Sequence, residues 1–136
     1  MRAGTILASF AVAAALLAGP AQAAQPRDFT VLGKTVSKNV NGKVIVFAEK
    51  LYEGLDGPKV GDSRFSCEFR GRTHKCVARF RLRTGSILVR GRIGKTQRAS
   101  TLPIRDGTRR YRNATGTLVF NSISRRLSKE RFNFDR

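Results

Sequence analysis

The stretch Ser63-Arg64-Phe65-Ser66-Cys67-Glu68-Phe69-Arg70-Gly71-Arg72-Thr73-His74-Lys75-Cys76-Val77-Ala78-Arg79-Phe80-Arg81-Leu82 decides the fold of this chain. Apolar and polar residues alternate through it with a period of two, the repeat of a half-buried strand. Phe65, Cys67 and Phe69 share one face of the first arm, with Arg64, Glu68 and Arg70 on the other. In the second arm Cys76, Ala78, Phe80 and Leu82 share a face, opposed by Lys75, Arg79 and Arg81. Between the arms, Arg70-Gly71-Arg72-Thr73 has glycine at the first central position, as a type II′ turn requires. A two-residue loop there pairs Arg70 with Thr73, and counting back sets Cys67 directly opposite Cys76. Turn chemistry, alternation and cysteine placement agree on one hairpin register.

A second hairpin follows. Thr84-Gly85 reads as its two-residue turn, pairing Arg83 with Ser86. That register sets Leu82 against Ile87, Phe80 against Val89, Ala78 against Gly91 and Cys76 against Ile93. The apolar faces coincide, so the three strands form a meander with one apolar side and one basic side. Arg79, Arg81, Arg83, Arg90 and Arg92 gather on the basic side, with Arg64 facing Arg79 and Arg79 facing Arg90.

Working outward, strands are expected at Lys43–Leu51, Thr101–Ile104, Thr115–Phe120 and Glu130–Phe134, and at Phe29–Val36. Turn signals at Asn41-Gly42, Gly54 to Gly61, Asp106-Gly107 and Asn113 to Gly116 separate them. No amphipathic helix is evident. About eight short strands in sequential order predict an all-β, small antiparallel up-and-down barrel.

The chain ahead of the barrel has a different character. Met1–Ala23 has Arg2 in a positive n-region, an apolar run from Ile6 to Ala18, and Ala21-Gln22-Ala23 as a small-x-small cleavage pattern. The apolar run falls short of the roughly 20 residues that span a bilayer. We expect residues 1-23 to be a cleaved signal peptide, residues 24-136 to be one barrel domain, and the product to be secreted or periplasmic. Export makes a Cys67–Cys76 disulfide the expected state, with two buried thiols as the alternative. Its ten-residue loop stabilises by about 2–3 kcal/mol on a chain-entropy account.

Composition narrows the function. One His and two Cys cannot supply the three or four nitrogen and sulfur ligands of a structural zinc site, so no metal and no cofactor is expected. Any triad enzyme would have to use His74, the only imidazole. Lys and Arg number 27 against 9 Asp and Glu, a formal net charge of +18. That excess predicts adhesion to an anionic polymer or lipid surface through Arg79, Arg81, Arg83, Arg90 and Arg92. Specific nucleic-acid recognition is not expected, because the Phe residues share the inward face instead of being displayed for base stacking.

The segment Leu102-Pro103-Ile104-Arg105-Asp106-Gly107-Thr108-Arg109-Arg110-Tyr111-Arg112-Asn113-Ala114-Thr115-Gly116 resembles the dirigent and allene-oxide-cyclase barrel-like family. There a strand runs into a Gly-Thr turn, then an aromatic, then a small-x-Gly start to the next strand. Val46-Phe47-Ala48-Glu49-Lys50-Leu51-Tyr52 is similar to that family's first core strand, with Glu49 at its acidic position. Gly57-Pro58-Lys59-Val60-Gly61-Asp62 resembles the loop that follows. Asp106 and Arg109 stand where the family carries glycine, so a positive φ would strain Arg109 more than Asp106. The resemblance, to a bacterial-type exported member, implies an eight-stranded barrel, often a homotrimer, with an apolar cavity for a small hydrophobic ligand.

An eight-stranded interior is either filled by side chains or holds one small ligand. If it is hollow, the cavity is expected among Phe65, Ala78, Phe80, Val89 and Gly91, where Ala78 and Gly91 leave room between bulky neighbours. Glu49, in an otherwise apolar strand, is either a partly buried carboxyl aimed at a ligand or a rim carboxylate paired with Lys50 or an Arg. His74 lies on the inward parity opposite Phe69 and reads as a solvated hairpin residue. Two function classes follow: an exported binding protein for an apolar ligand or anionic envelope polymers, or an isomerase or cyclase of the allene-oxide-cyclase type. An acidic or phenolic group (Glu49, Tyr111 or Tyr52) facing a real cavity discriminates between them.

Overall fold

In the computed structural model, eight antiparallel strands follow one another round a closed barrel, β8 pairing back onto β1. The structure describes residues 25–94 and 99–136. The expected signal peptide, 1-23, lies outside the described residues. The strands are β1 (Phe29–Asn41), β2 (Val44–Tyr52), β3 (Lys59–Arg70), β4 (Thr73–Leu82), β5 (Gly85–Gly94), β6 (Ala99–Gly107), β7 (Gly116–Ser124) and β8 (Leu127–Phe134). A single 3-10 turn, Arg109–Tyr111, joins β6 to β7.

The β3–β4 hairpin has the register read from its sequence: Arg70 pairs with Thr73 and Cys67 with Cys76, and the two sulfurs are bonded. Gly71 takes φ +67° while Arg72 keeps a negative φ, the combination of a type II′ turn. Here glycine is needed, because a side chain at that φ crowds the backbone.

The β4–β5 register is two residues away from expectation. Leu82 pairs with Gly85 and Arg81 with Ser86, so the turn is Arg83-Thr84. Phe80 then meets Ile87, Ala78 meets Val89, and Cys76 meets Gly91. The reason lies outside the hairpin. Gly85, at φ +141°, passes so near the Thr108 carbonyl that a Cβ would stand 2.2 Å from its oxygen. Gly85 is therefore a strand residue seated under the β6–β7 connection and not a turn residue. A shift of two leaves each side chain on its original face, so the apolar interior survives.

Several strands extend past their expected ends. β1 runs on to Asn41 and β6 to Gly107, because pairing to a neighbour continues through residues whose own preference for strand is weak.

The middle of the barrel is a packed plug. Phe65, Phe80, Phe132, Ile87, Val89, Leu102 and Leu118 are fully buried. Phe65 stacks on Phe47 at 4.5 Å between ring centres and meets Phe80 and Phe120 edge-on, each at 5.5 Å. Phe80 meets Phe132 at 4.9 Å, and Phe132 stacks on Phe29 at 4.7 Å. Each such aromatic pair adds about 0.5–1.5 kcal/mol beyond the area it buries. This plug separates the two ends of the barrel.

Candidate functional site

At the end carrying the β1–β2, β3–β4 and β7–β8 turns, the barrel opens into a cavity of roughly 200 Å³. Its inner end is bounded by the buried Glu49, Cys67, Cys76 and Ser128. Ile45, Phe47, Ile93 and Phe120 form apolar wall, and the exposed Lys38, Ser122, Ser124 and Arg125 stand at the mouth. An engineered cavity of about 150 Å³ holds benzene, so this space admits a molecule of one or two small rings.

The polar chemistry at the inner end comes from three strands. Alternation along β2 puts Glu49 on the same inward face as Leu51, and its residue is only 2% exposed. Ser63 of β3 donates to Glu49 Oε1 at 2.8 Å. Ser128 of β8 donates to Glu49 Oε2 at 2.7 Å and lies 3.3 Å from Glu130 Oε1. Glu130 is fully buried behind the serine.

Two carboxyl groups meet here because β1, the strand between β2 and β8, carries Gly33 at that level. A Cβ on Gly33 would stand 2.5 Å from Glu49 Oε2 and 2.9 Å from Glu130 Oε2. Burial holds the Glu130 carboxyl well above the usual range, and the neighbouring Glu49 raises it further by hydrogen bond and charge. The Ser128 hydroxyl pulls weakly the other way. Glu130 Oε2 has no donor among the described residues. A proton on Glu130 turns that orphaned oxygen into a donor toward Glu49.

His74 is half-buried, not solvated: its ring lies 5.4 Å from Phe69, it borders the cavity, and its buried Nδ1 has no hydrogen-bond partner among the described residues. The inward parity of the hairpin outweighed its nearness to the turn.

The structure puts the other anticipated residues elsewhere. Phe65, Ala78, Phe80 and Val89 are buried in the plug and do not border this cavity. The missing side chain of Gly91 is matched by β6, since a Cβ there would meet Pro103 at 3.0 Å and Leu102 at 3.3 Å. Arg79, Arg81, Arg83, Arg90 and Arg92 are all exposed. With the shifted register Arg79 faces Leu88, and Arg90 faces Val77, instead of each other. Arg64 does face Arg79.

Glu130, Ser63 and Ser128 were not among the anticipated site residues. Their signal was present: Ser128, Glu130, Phe132 and Phe134 alternate onto one face of β8, and Ser63 precedes Phe65 and Cys67 on theirs. A carboxyl in register with two buried phenylalanines is an inward carboxyl.

A second hollow, of roughly 420 Å³, lies at the opposite end among Phe29, Val31, Pro58, Val60, Leu82 and Tyr111. It is larger but chemically poorer. The Tyr111 hydroxyl is engaged with Thr84 at 2.8 Å, and Glu53 is exposed. Among the described residues no cluster of His, Cys, Asp and Glu is placed to hold a metal ion.

No family model and no curated protein matches the chain. Among solved structures the barrel is similar to pyocyanin demethylase, with a TM-score of 0.67 and 22% identity over 79% of this chain and 99% of that one. The likeness is one of fold.

Proposed function

We propose that this chain is an exported barrel that binds a small, largely apolar molecule in the cavity below Lys38 and Arg125. The observation that carries this reading is a hydrogen-bonded, buried carboxyl, Glu49, in a cavity whose walls include Ile45, Phe47, Ile93 and Phe120. Binding sites are typically apolar with a few polar groups that fix orientation. The solved barrel named pyocyanin demethylase acts, by its name, on a small molecule, and supports the same use of the fold here. The disulfide between Cys67 and Cys76 suits export. Contact with anionic envelope polymers through the exposed Arg79, Arg81, Arg83, Arg90 and Arg92 is part of the same proposal, supported by the charge of +18.

The test is titration with 2-naphthol, followed by its fluorescence, against wild type and the cavity-filling variant Ile93→Trp. Saturable binding by wild type and its loss in a variant that keeps the barrel's circular dichroism supports the cavity as the site. Equal binding by both proteins refutes it.

The carboxyl pair favours a second reading, an isomerase or cyclase. Glu49 would take a proton from a carbon acid and return it at another position, while the proton on Glu130 steadies the charge. No oxidant is needed for that exchange. Solvent deuterium entering the α-carbons of 2-indanone, faster with wild type than with Glu49→Gln, would support it, and equal rates would dismiss it.

A further inference from the structure

The cavity is polarised along its axis. Its inner end offers the Glu49 carboxyl and the Ser128 hydroxyl. Its mouth offers two cations, Lys38 on β1 and Arg125 in the β7–β8 turn. Neither cation is in an ion pair within the described residues, where the salt bridges are Lys59–Asp62, Arg70–Glu68 and Arg136–Asp28. Among the described residues Glu49 is the only acid that lines the cavity, and it is buried where Lys38 and Arg125 are exposed. The walls are mostly aromatic and aliphatic, Phe47, Phe120, Ile45 and Ile93, with the half-buried His74 beside them. A purely apolar guest would leave the two cations at the mouth without a counterpart.

From this layout we infer that the ligand is an aromatic acid: a one- or two-ring molecule with an O–H or N–H donor at its inner end and a carboxylate or sulfonate at its outer end. The donor binds Glu49, each of whose oxygens accepts from one serine and keeps a second lone pair. The rings stack on the flat walls offered by Phe47 and Phe120. The anion sits at the mouth between Lys38 and Arg125, still partly in water, so it keeps most of its hydration while gaining two cations. The inference rests on the cavity reading above and adds the chemical class of the guest.

The experiment compares 6-hydroxy-2-naphthoate, which has both ends, with 2-naphthol, which has the donor alone, and 2-naphthoate, which has the anion alone. Each is titrated into wild type, into Lys38→Gln/Arg125→Gln, and into the outer-face control Arg79→Gln/Arg81→Gln, which loses the same charge. Exposed ion pairs are weak, so two of them should make wild type bind the hydroxynaphthoate roughly two- to thirtyfold tighter than 2-naphthol. That preference should vanish in the mouth variant, persist in the control, and leave 2-naphthol affinity unchanged throughout. Glu49→Gln should weaken 2-naphthol and the hydroxynaphthoate but spare 2-naphthoate. Equal affinity of wild type for hydroxynaphthoate and 2-naphthol overturns the inference and leaves the cavity reading standing. Equal loss in mouth variant and control also overturns it, since the preference is then a property of the overall charge. Failure of all three probes to bind wild type overturns the cavity reading and this inference with it.

Discussion

Glu49 and Glu130 lie on strands that do not pair with each other, and their carboxyl groups meet across Gly33 of the strand between them. The arrangement costs stability, because the proton that Glu130 retains on folding is one the unfolded chain gives up at ordinary pH.

Glu130→Gln should flatten the pH dependence of stability. The folded carboxyl titrates well above an unfolded value of about 4.3, so from there upward the native state binds more protons than the unfolded state. Stability then falls as pH rises through the window between the two values. Glutamine keeps an N–H donor toward Glu49 and releases no proton. Denaturant titrations from pH 4 upward should show wild type losing stability and the variant changing less. A wild-type curve that rises through that window contradicts a raised Glu130.

Gly33→Ala should destabilise the barrel by about 1–3 kcal/mol, the usual range for overpacking a tight site. Its Cβ would stand 2.5 Å from Glu49 Oε2, and moving that carboxyl breaks its contact with Ser128. Adding Glu49→Ala should recover part of the loss, because the clash disappears with the carboxyl. Additive losses in the double variant would show that the clash is not with Glu49.

Replacing both Cys67 and Cys76 by Ser should cost about 2–3 kcal/mol, measured by denaturant midpoint under non-reducing conditions. The pair joins directly opposed residues of one hairpin, so the fold should survive in the variant with the same strand content.

Arg109→Gly should stabilise by about 0.5–1 kcal/mol. Arg109 holds φ +56°, a conformation that costs a residue with a Cβ roughly 1–2 kcal/mol. Glycine removes that cost and returns part of it as unfolded-state entropy. A lower melting temperature would mean that the arginine side chain contributes a contact greater than the strain.

Arg81→Ser/Arg90→Ser should elute from heparin at lower salt than wild type, with a shallower dependence of retention on salt. Both side chains are exposed on the outer face, and neither is in an ion pair among the described residues. The melting temperature should change little, since relief of repulsion offsets lost packing. Identical elution would make this face a bystander.

Local rules were enough wherever the partner of a residue lies close in sequence. Gly71 in its turn, the period-two alternation from Phe65 to Leu82, and Cys67 opposite Cys76 were all legible in the sequence. Each depends on φ preference, on the pleat, or on counting back from one turn, and none needs knowledge of the rest of the molecule. The barrel class followed from repeating that reading eight times. What the sequence alone left open depends on contacts distant along the chain. The β4–β5 register shifted because Gly85 had to pass under Thr108, over twenty residues away. Ala78 and Gly91 looked like room for a ligand, but β6 filled the space beside Gly91, and the Phe rings closed the middle. The site formed where Gly33 let carboxyls from β2 and β8 meet, and only closure of the barrel, β8 against β1, brings those strands together. Alternation says which side chains point inward; which of them meet is decided by how the sheet curls and closes.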